Sequence, residues 1–293
     1  MSDAHRSIGP SRLNAYWRLM RFDRPIGILL LLWPTYWALW IAGNGDPAWT
    51  NILIFTAGVV LMRAAGCVAN DLADRDFDPH VERTRARPLA AGELRARDAA
   101  VLLAALMALA FILVLFTNRF TVLLAFAGAA LALTYPLFKR VTHLPQIVLG
   151  VAFGWGILMA FTAELNTLPP VAGWLLAINT VWAVIYDTLY AMVDRDDDLL
   201  IGVKSSAILF GRADRAVIAT LMVVMIAMLV VLGTWYRFGW PWFAGVALAA
   251  VMFAREQWWI RHRERAACFR AFLDNNWVGF VIFAGLVAQY LLP

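Results

Sequence analysis

The stretch from Thr50 to Ala69, TNILIFTAGVVLMRAAGCVA, runs straight into Asn70-Asp71-Leu72-Ala73-Asp74-Arg75-Asp76-Phe77-Asp78. The first part is apolar enough for hydrocarbon, and the second is a row of carboxylates. Carboxylates are costly near hydrocarbon and seldom gather there without a partner. A second junction of the same kind follows the apolar segment 169–190, where Asp194-Arg195-Asp196-Asp197-Asp198 appears. Two such junctions with Arg and Lys nearby suggest a site for divalent cations and a phosphorylated ligand.

The rest of the chain fits that setting. It has 293 residues, of which 62% are hydrophobic and 15% charged, and its mean hydropathy is +0.69. Soluble domains are about 45–50% apolar and about 25% charged, so this composition is that of an integral membrane protein. Net charge is +5, but the basic residues lie in short loops between apolar spans, which argues against nucleic-acid binding. Cys67 and Cys268 lie on separate segments without metal-ligand spacing, so neither a structural disulfide nor a zinc site is expected. Residues 1–24 are polar and rich in arginine, and the apolar run after them has no convincing cleavage site. It reads as a first span that stays in the membrane.

A membrane span needs roughly 20 apolar residues. Nine candidates meet this: about 25–43, 50–71, 98–117, 120–138, 144–163, 169–190, 214–235, 240–260 and 271–291. Arg and Lys concentrate in the N-terminal tail and in loops 72–97, 139–143, 191–213 and 261–270, while the alternate turns hold only Arg119 and Arg237. The positive-inside rule puts the tail and both acidic loops in the cytoplasm. Asp74-x-x-x-Asp78 and Asp194-x-x-x-Asp198 share their spacing and lie four spans apart, which suggests repeated four-helix units, a final helix, and a site between the repeats. The expectation is an all-α polytopic membrane protein, a single domain over 1–293, with about nine transmembrane helices around a central cavity open to the cytoplasm. Tryptophans such as Trp33, Trp37, Trp40, Trp49, Trp240 and Trp242 read chiefly as an interfacial belt and lipid-facing packing.

If the second span continues as a helix to Asp78, then Arg63, Asn70, Asp74 and Asp78 share one face, with Asp71 beside it. Pro79 would end the helix there. Asp187, Asp194 and Asp198 form a matching face on the sixth span, with Tyr190 and Asp197 adjoining. Asp71, Asp74 and Asp78 on one side, and Asp194 and Asp198 on the other, offer the hard oxygen ligands that suit magnesium, Mg2+. Asp76 and Glu82 read as ordinary solvated charges. Lys204 could hold a phosphate as a point charge, and the arginines of 81–89, Arg83 and Arg87 among them, could close over an anionic headgroup. Topology alone would also favour basic residues at these places.

The run Asn70-Asp71-x-x-Asp74-x-x-x-Asp78-x-x-Val81-x-Arg83-Thr84-x-x-Arg87-Pro88 resembles the signature of the UbiA superfamily of intramembrane prenyltransferases. Tyr186-Asp187-Thr188-Leu189-Tyr190 through Asp198, followed by Ile201-Gly202-Val203-Lys204-Ser205, is similar to its 4-hydroxybenzoate polyprenyltransferase branch. So are Arg24-Pro25-Ile26-Gly27, Leu133-Thr134-Tyr135-Pro136, Lys139-Arg140-x-Thr142-His143-Leu144-Pro145-Gln146 and Asn275-Asn276-Trp277-x-Gly279. The resemblance runs from about residue 12 to the end. It implies an enzyme of a bacterial inner membrane that transfers a polyprenyl group from its diphosphate to 4-hydroxybenzoate, ortho to the hydroxyl, in ubiquinone synthesis. Magnesium held by the two acidic clusters would bind the diphosphate, Asn70 would orient the site, and Arg83, Arg87, Lys139 and Lys204 would contact phosphate. Asp194 or Asp187 would assist loss of the ring proton. Arg140 or Arg63 would meet the aromatic carboxylate, for which a planar guanidinium is a good match.

Other readings have distinct signatures. A superfamily member acting on another acceptor, a haem or a naphthoate, would differ in acceptor assays. An ion or phosphate transporter would place its charges near the membrane centre rather than at one mouth. A non-catalytic scaffold would leave the paired acids without purpose.

Overall fold

The computed structural model describes residues 12–76, 78, 84–135, 138, 142–202 and 204–292. Among these residues eleven α-helices follow one another: α1 Arg12–Leu19, α2 Ile26–Ala42, α3 Trp49–Ala73, α4 Ala96–Val114, α5 Arg119–Thr134, α6 Pro145–Leu165, α7 Pro170–Ile201, α8 Ser206–Phe210, α9 Asp214–Trp235, α10 Trp240–Trp259 and α11 Arg265–Leu291. There is no strand among the described residues.

Local chemistry sets the helix ends. Pro145 and Pro170 begin α6 and α7, where a missing N–H costs nothing. The Asn118 side chain accepts the Thr121 amide at 2.9 Å and caps α5. Asn166, at φ 52°, and Gly202, at φ 71°, stop α6 and α7 in the left-handed region. Among the described residues six segments are long and apolar enough to cross a membrane: α3, α4, α6, α7 to Leu200, Ser206–Trp235 and α11; α2 and α5 are shorter apolar helices.

Small residues bring the helices together. A Cβ on Gly150 would lie 2.8 Å from Thr180 Cα, and one on Gly245 would lie 3.0 Å from Gly285 Cα, so α6 meets α7 and α10 meets α11 almost backbone to backbone. Indoles fill the space between helices. Trp37, Trp182 and Trp242 are fully buried. Trp37 and Trp182 lie 5.4 Å apart, and the Trp182 Nε1–H donates to Asn275 Oδ1 at 2.8 Å. This corrects the belt expectation: Trp49 and Trp240 are exposed at helix starts, but Trp37 and Trp242 are core. A helix interior offers an indole carbonyls and amides that satisfy its N–H.

Two further differences from the sequence expectation shape the site. Part of the polar N-terminal stretch is helical: α1 packs Ala15 and Leu19 against Ala64, Ala65 and Val68 of α3. And α3 ends at Ala73 rather than at Asp78. Carboxylates at a helix C-terminus oppose the macrodipole, and the exposed Arg75 and Asp76 gain nothing from continuing it. By contrast, α7 continues 11 residues beyond the expected span, through the whole acidic run, as the expected face of Asp187, Asp194 and Asp198 requires.

Candidate active site

The helices enclose a cavity of about 1440 Å3. One part of its wall is apolar, with Leu30, Phe55, Val59, Phe126, Trp155 and Met159. The other carries the chemistry: Arg21, Asn70, Asp71 and Arg87 from one side, and Asp187, Tyr190, Asp194, Asp198 and Lys204 from α7 and the turn after it. A space larger than the roughly 300–1,000 Å3 of a drug-sized pocket suits a long apolar chain with a polar head.

Asp71 is 1% exposed and is held by two arginines. Arg21 Nη2 donates to both its carboxylate oxygens at 3.1 Å, and Arg87 Nη1 donates to Oδ1 at 3.1 Å. Arg87 also donates to Asp78 at 2.8 Å, and the Thr84 hydroxyl donates to the Asp78 carbonyl at 2.8 Å. Burial works against the charge on Arg87, but Asp71 and Asp78 outweigh it and raise its pKa. Asn70 Nδ2 donates to Asp74 Oδ2 at 3.1 Å. Because α3 stops early, the expected common face survives from Asn70 to Asp74 but not to Asp78, which turns to Arg87 instead. Asp74 and Asp78 are not among the cavity-lining residues.

On α7 the helical period sorts the acids. Asp194 and Asp198, four apart, line the cavity. Asp196 and Asp197 face away, toward Arg265 of α11 at 3.6 and 3.4 Å. Arg195 leaves on another face and donates to Asp214 Oδ2 at 2.5 Å and to the Ala207 carbonyl at 2.7 Å. Asp214 is fully buried and also accepts from Arg263 Nε at 2.9 Å. This clamp fixes the rotation of the α7 end and hence where Asp194 and Asp198 point.

Deeper in the cavity lies Arg63. Its guanidinium rests on Gly27 of α2 and over the Phe153 ring, 5.7 Å from the centroid. It has no carboxylate partner among the described residues. Arg83, Lys139 and Arg140, also named from sequence, lie outside the described residues.

Among the described residues, no three acidic, histidine or cysteine side chains converge as a ready-made cage. The donor set still fits magnesium, which commonly uses one or two carboxylates and completes its shell with water and substrate phosphate. Asp71 keeps lone pairs beyond its arginine contacts. Sequence reasoning missed Arg21, whose only visible signal was its place in an arginine-rich tail. It placed Gln146, Tyr186 and Ser205 within the matching stretches but gave them no role; they are buried cavity residues whose side-chain oxygens have no hydrogen-bond partner among the described residues.

A helical membrane fold with carboxylates and guanidiniums gathered at one part of a large, mainly apolar cavity defines a class that handles lipid-tailed anions. The UbiA prenyltransferase family pattern matches residues 31–284, and the chain belongs to that family. It is 56% identical over 283 residues to the 4-hydroxybenzoate octaprenyltransferase of Methylococcus capsulatus, covering 96% of each chain. It is 54% identical to the protein of the same name from Providencia stuartii, covering 97% of this chain and 99% of the relative. A solved UbiA homolog from Aeropyrum pernix K1 is 26% identical with TM-score 0.79, covering 89% of this chain and 97% of that one. A UbiA homolog from Archaeoglobus fulgidus bound to GPP and Mg2+ shares the fold at 16% identity, with TM-score 0.67 and coverage of 92% and 99%.

Proposed function

We propose that this enzyme transfers a polyprenyl group from polyprenyl diphosphate to 4-hydroxybenzoate, on the ring carbon ortho to the hydroxyl, as a step of ubiquinone biosynthesis. The observation that carries the reading is identity of 54–56% over nearly the whole chain with 4-hydroxybenzoate octaprenyltransferases. The cavity supports it, because a long apolar wall meets a charged end.

The charged end receives the diphosphate. Asp71, Asp74, Asp78, Asp194 and Asp198 are the acids available to hold Mg2+, which when bound would offset charge on the departing oxygen. Asn70 orients Asp74. Arg87 and Lys204, together with Arg83 and Lys139, neutralise phosphate oxygens. As the diphosphate leaves, an allylic cation forms, and the packed cavity keeps water from quenching it. The ring carbon beside the phenol attacks that cation. Asp187 or Asp194 then takes the ring proton, and Tyr190 packs on Phe272 at 4.9 Å beside them. Arg63 or Arg140 holds the carboxylate of the acceptor.

Crossing of the bilayer by all nine of α2, α3, α4, α5, α6, α7, α9, α10 and α11 goes with this reading. So do a cytoplasmic opening of the cavity, a bacterial inner-membrane location and an origin in four-helix repeats. Transport is the weaker reading, because Asp71, Asp194 and Asp198 lie near the ends of α3 and α7 rather than midway.

Purified protein in lipid nanodiscs, given Mg2+, a polyprenyl diphosphate and 4-hydroxybenzoate, should yield a product of the summed mass less diphosphate. Parallel reactions with a naphthoate and with haem test the other acceptors. Product from either of those, and none from 4-hydroxybenzoate, would overturn the reading.

A further inference from the structure

The cavity has a second polar layer beneath the acids. Arg63 precedes Asp71 by eight residues on α3, and Tyr186 precedes Asp194 by eight on α7, so each lies about 12 Å deeper along its helix. Among the described residues, Asp187, Arg63 and Tyr135 are titratable groups whose charge bears on Tyr186, and Arg63 and Tyr186 line the same cavity. Gln146 reaches the same level from α6. Gly150 packs on Thr180 and Ala183, and one turn toward the start of α6 corresponds to one turn further along an antiparallel α7, near Asp187.

These residues share an unmet need. Among the described residues, the Tyr186 hydroxyl and Gln146 Oε1 are buried without a hydrogen-bond partner, on residues 1% and 3% exposed. Arg63 is a cation within a membrane span with no carboxylate partner among the described residues. Native cores rarely leave buried polar groups unmatched unless a ligand serves them. All three line the same cavity. Nor is Tyr186 loosely placed: its ring stands edge-on to Trp182 at 5.5 Å and 89°, and Trp182 is itself tied to Asn275.

We infer that Tyr186 and Gln146 read the two ends of an aromatic hydroxy acid whose carboxylate Arg63 holds. The inference rests on the function proposed above and adds two specificity residues to it. The groups match by type. The Tyr186 O–H donates to the carboxylate beside the Arg63 fork. Gln146 Oε1 can only accept, and the sole donor on a 4-hydroxybenzoate anion is its phenol O–H. With both ends fixed, the ring is clamped in one orientation, which decides the carbon presented to the prenyl cation.

The test uses near-isosteric variants, Tyr186→Phe and Gln146→Leu, in full-length protein in nanodiscs. Affinities are measured by calorimetry, without turnover, for 4-hydroxybenzoate, 4-hydroxybenzamide and 4-methoxybenzoate. Tyr186→Phe should cut the preference for the acid over the amide about tenfold and leave the hydroxy-over-methoxy preference intact. Gln146→Leu should do the reverse. KM for the polyprenyl diphosphate should hold within twofold in both. Unchanged preferences, or equal losses for all three ligands, would overturn the pocket. If Gln146→Leu is not recovered folded, Gln146→Met removes the same oxygen. A wild type that binds the hydroxy acid with these preferences but never prenylates it would sink the proposed function and leave the pocket standing.

Discussion

Arg63 lies directly on Gly27: a Cβ at that glycine would sit 2.1 Å from Nε and 2.5 Å from Nη2. The absent side chain is what lets a guanidinium cross from α3 to the face of α2 at this depth. Gly27→Ala should therefore push Arg63 aside. Alanine is the better helix former by about 1 kcal/mol, so folding should survive. KM for 4-hydroxybenzoate should rise about tenfold, a change of about 1.4 kcal/mol, while KM for the diphosphate stays put. Steady-state kinetics with each substrate varied in turn decides it, and an unchanged acceptor KM would remove Arg63 from acceptor binding.

Removing the cation or its acids should stop the chemistry without unfolding the protein. Chelation in excess should abolish turnover and added Mg2+ should restore it. Asp194→Ala and Asp74→Ala should each lower kcat by about 100-fold or more, the scale on which preorganised charge stabilisation acts. Turnover that survives both single substitutions, or excess chelator, would refute metal assistance.

The Asp214 clamp should matter to stability and to the acids it aims. Asp214→Ala leaves Arg195 and Arg263 facing each other without their shared carboxylate. Loss of a buried partner costs about 3–5 kcal/mol. The arginines are partly exposed, so we expect about 1–3 kcal/mol after solvent screening. The melting temperature in detergent should fall, and the Mg2+ concentration for half-maximal rate should rise. A melting curve identical to wild type would show that the clamp does not hold α7.

Orientation can be read with thiol labelling, because Cys67 and Cys268 are buried and give a quiet background. Arg75→Cys and Thr167→Cys place thiols at exposed positions on opposite sides of the expected membrane. An impermeant reagent should reach Thr167→Cys in cells with a permeable outer membrane, and Arg75→Cys only after lysis. The opposite pattern would invert the topology.

Hydropathy made the helices legible: each expected apolar stretch contains most of a helix, from Ile26–Ala42 to Arg265–Leu291. Ends were harder where charge compensation is tertiary. Nothing in Asp194–Asp198 announces that Arg195 will meet Asp214 and that Arg265 will come from α11 to Asp196 and Asp197. The acids of the site stood out because carboxylates beside hydrocarbon are conspicuous. Arg21 did not, since topology alone accounts for an arginine there. Tyr186 and Gln146 stand in stretches that carry the family resemblance, but nothing there assigns them a task until the fold shows that neither oxygen has a partner among the described residues.

The length of α7 has a consequence for the fate of products. Its 32 residues span about 48 Å, against about 30 Å of hydrocarbon. On the topology proposed above, the helix outruns the bilayer core at its C-terminal end and lifts Asp194 and Asp198 toward water while the isoprenoid stays among lipid tails. When the bond breaks, the liberated diphosphate is already beside the aqueous phase, and the alkylated ring is left on a greasy tether with no phosphate to hold it there. One suits water and the other oil, so each product leaves the site in its own direction.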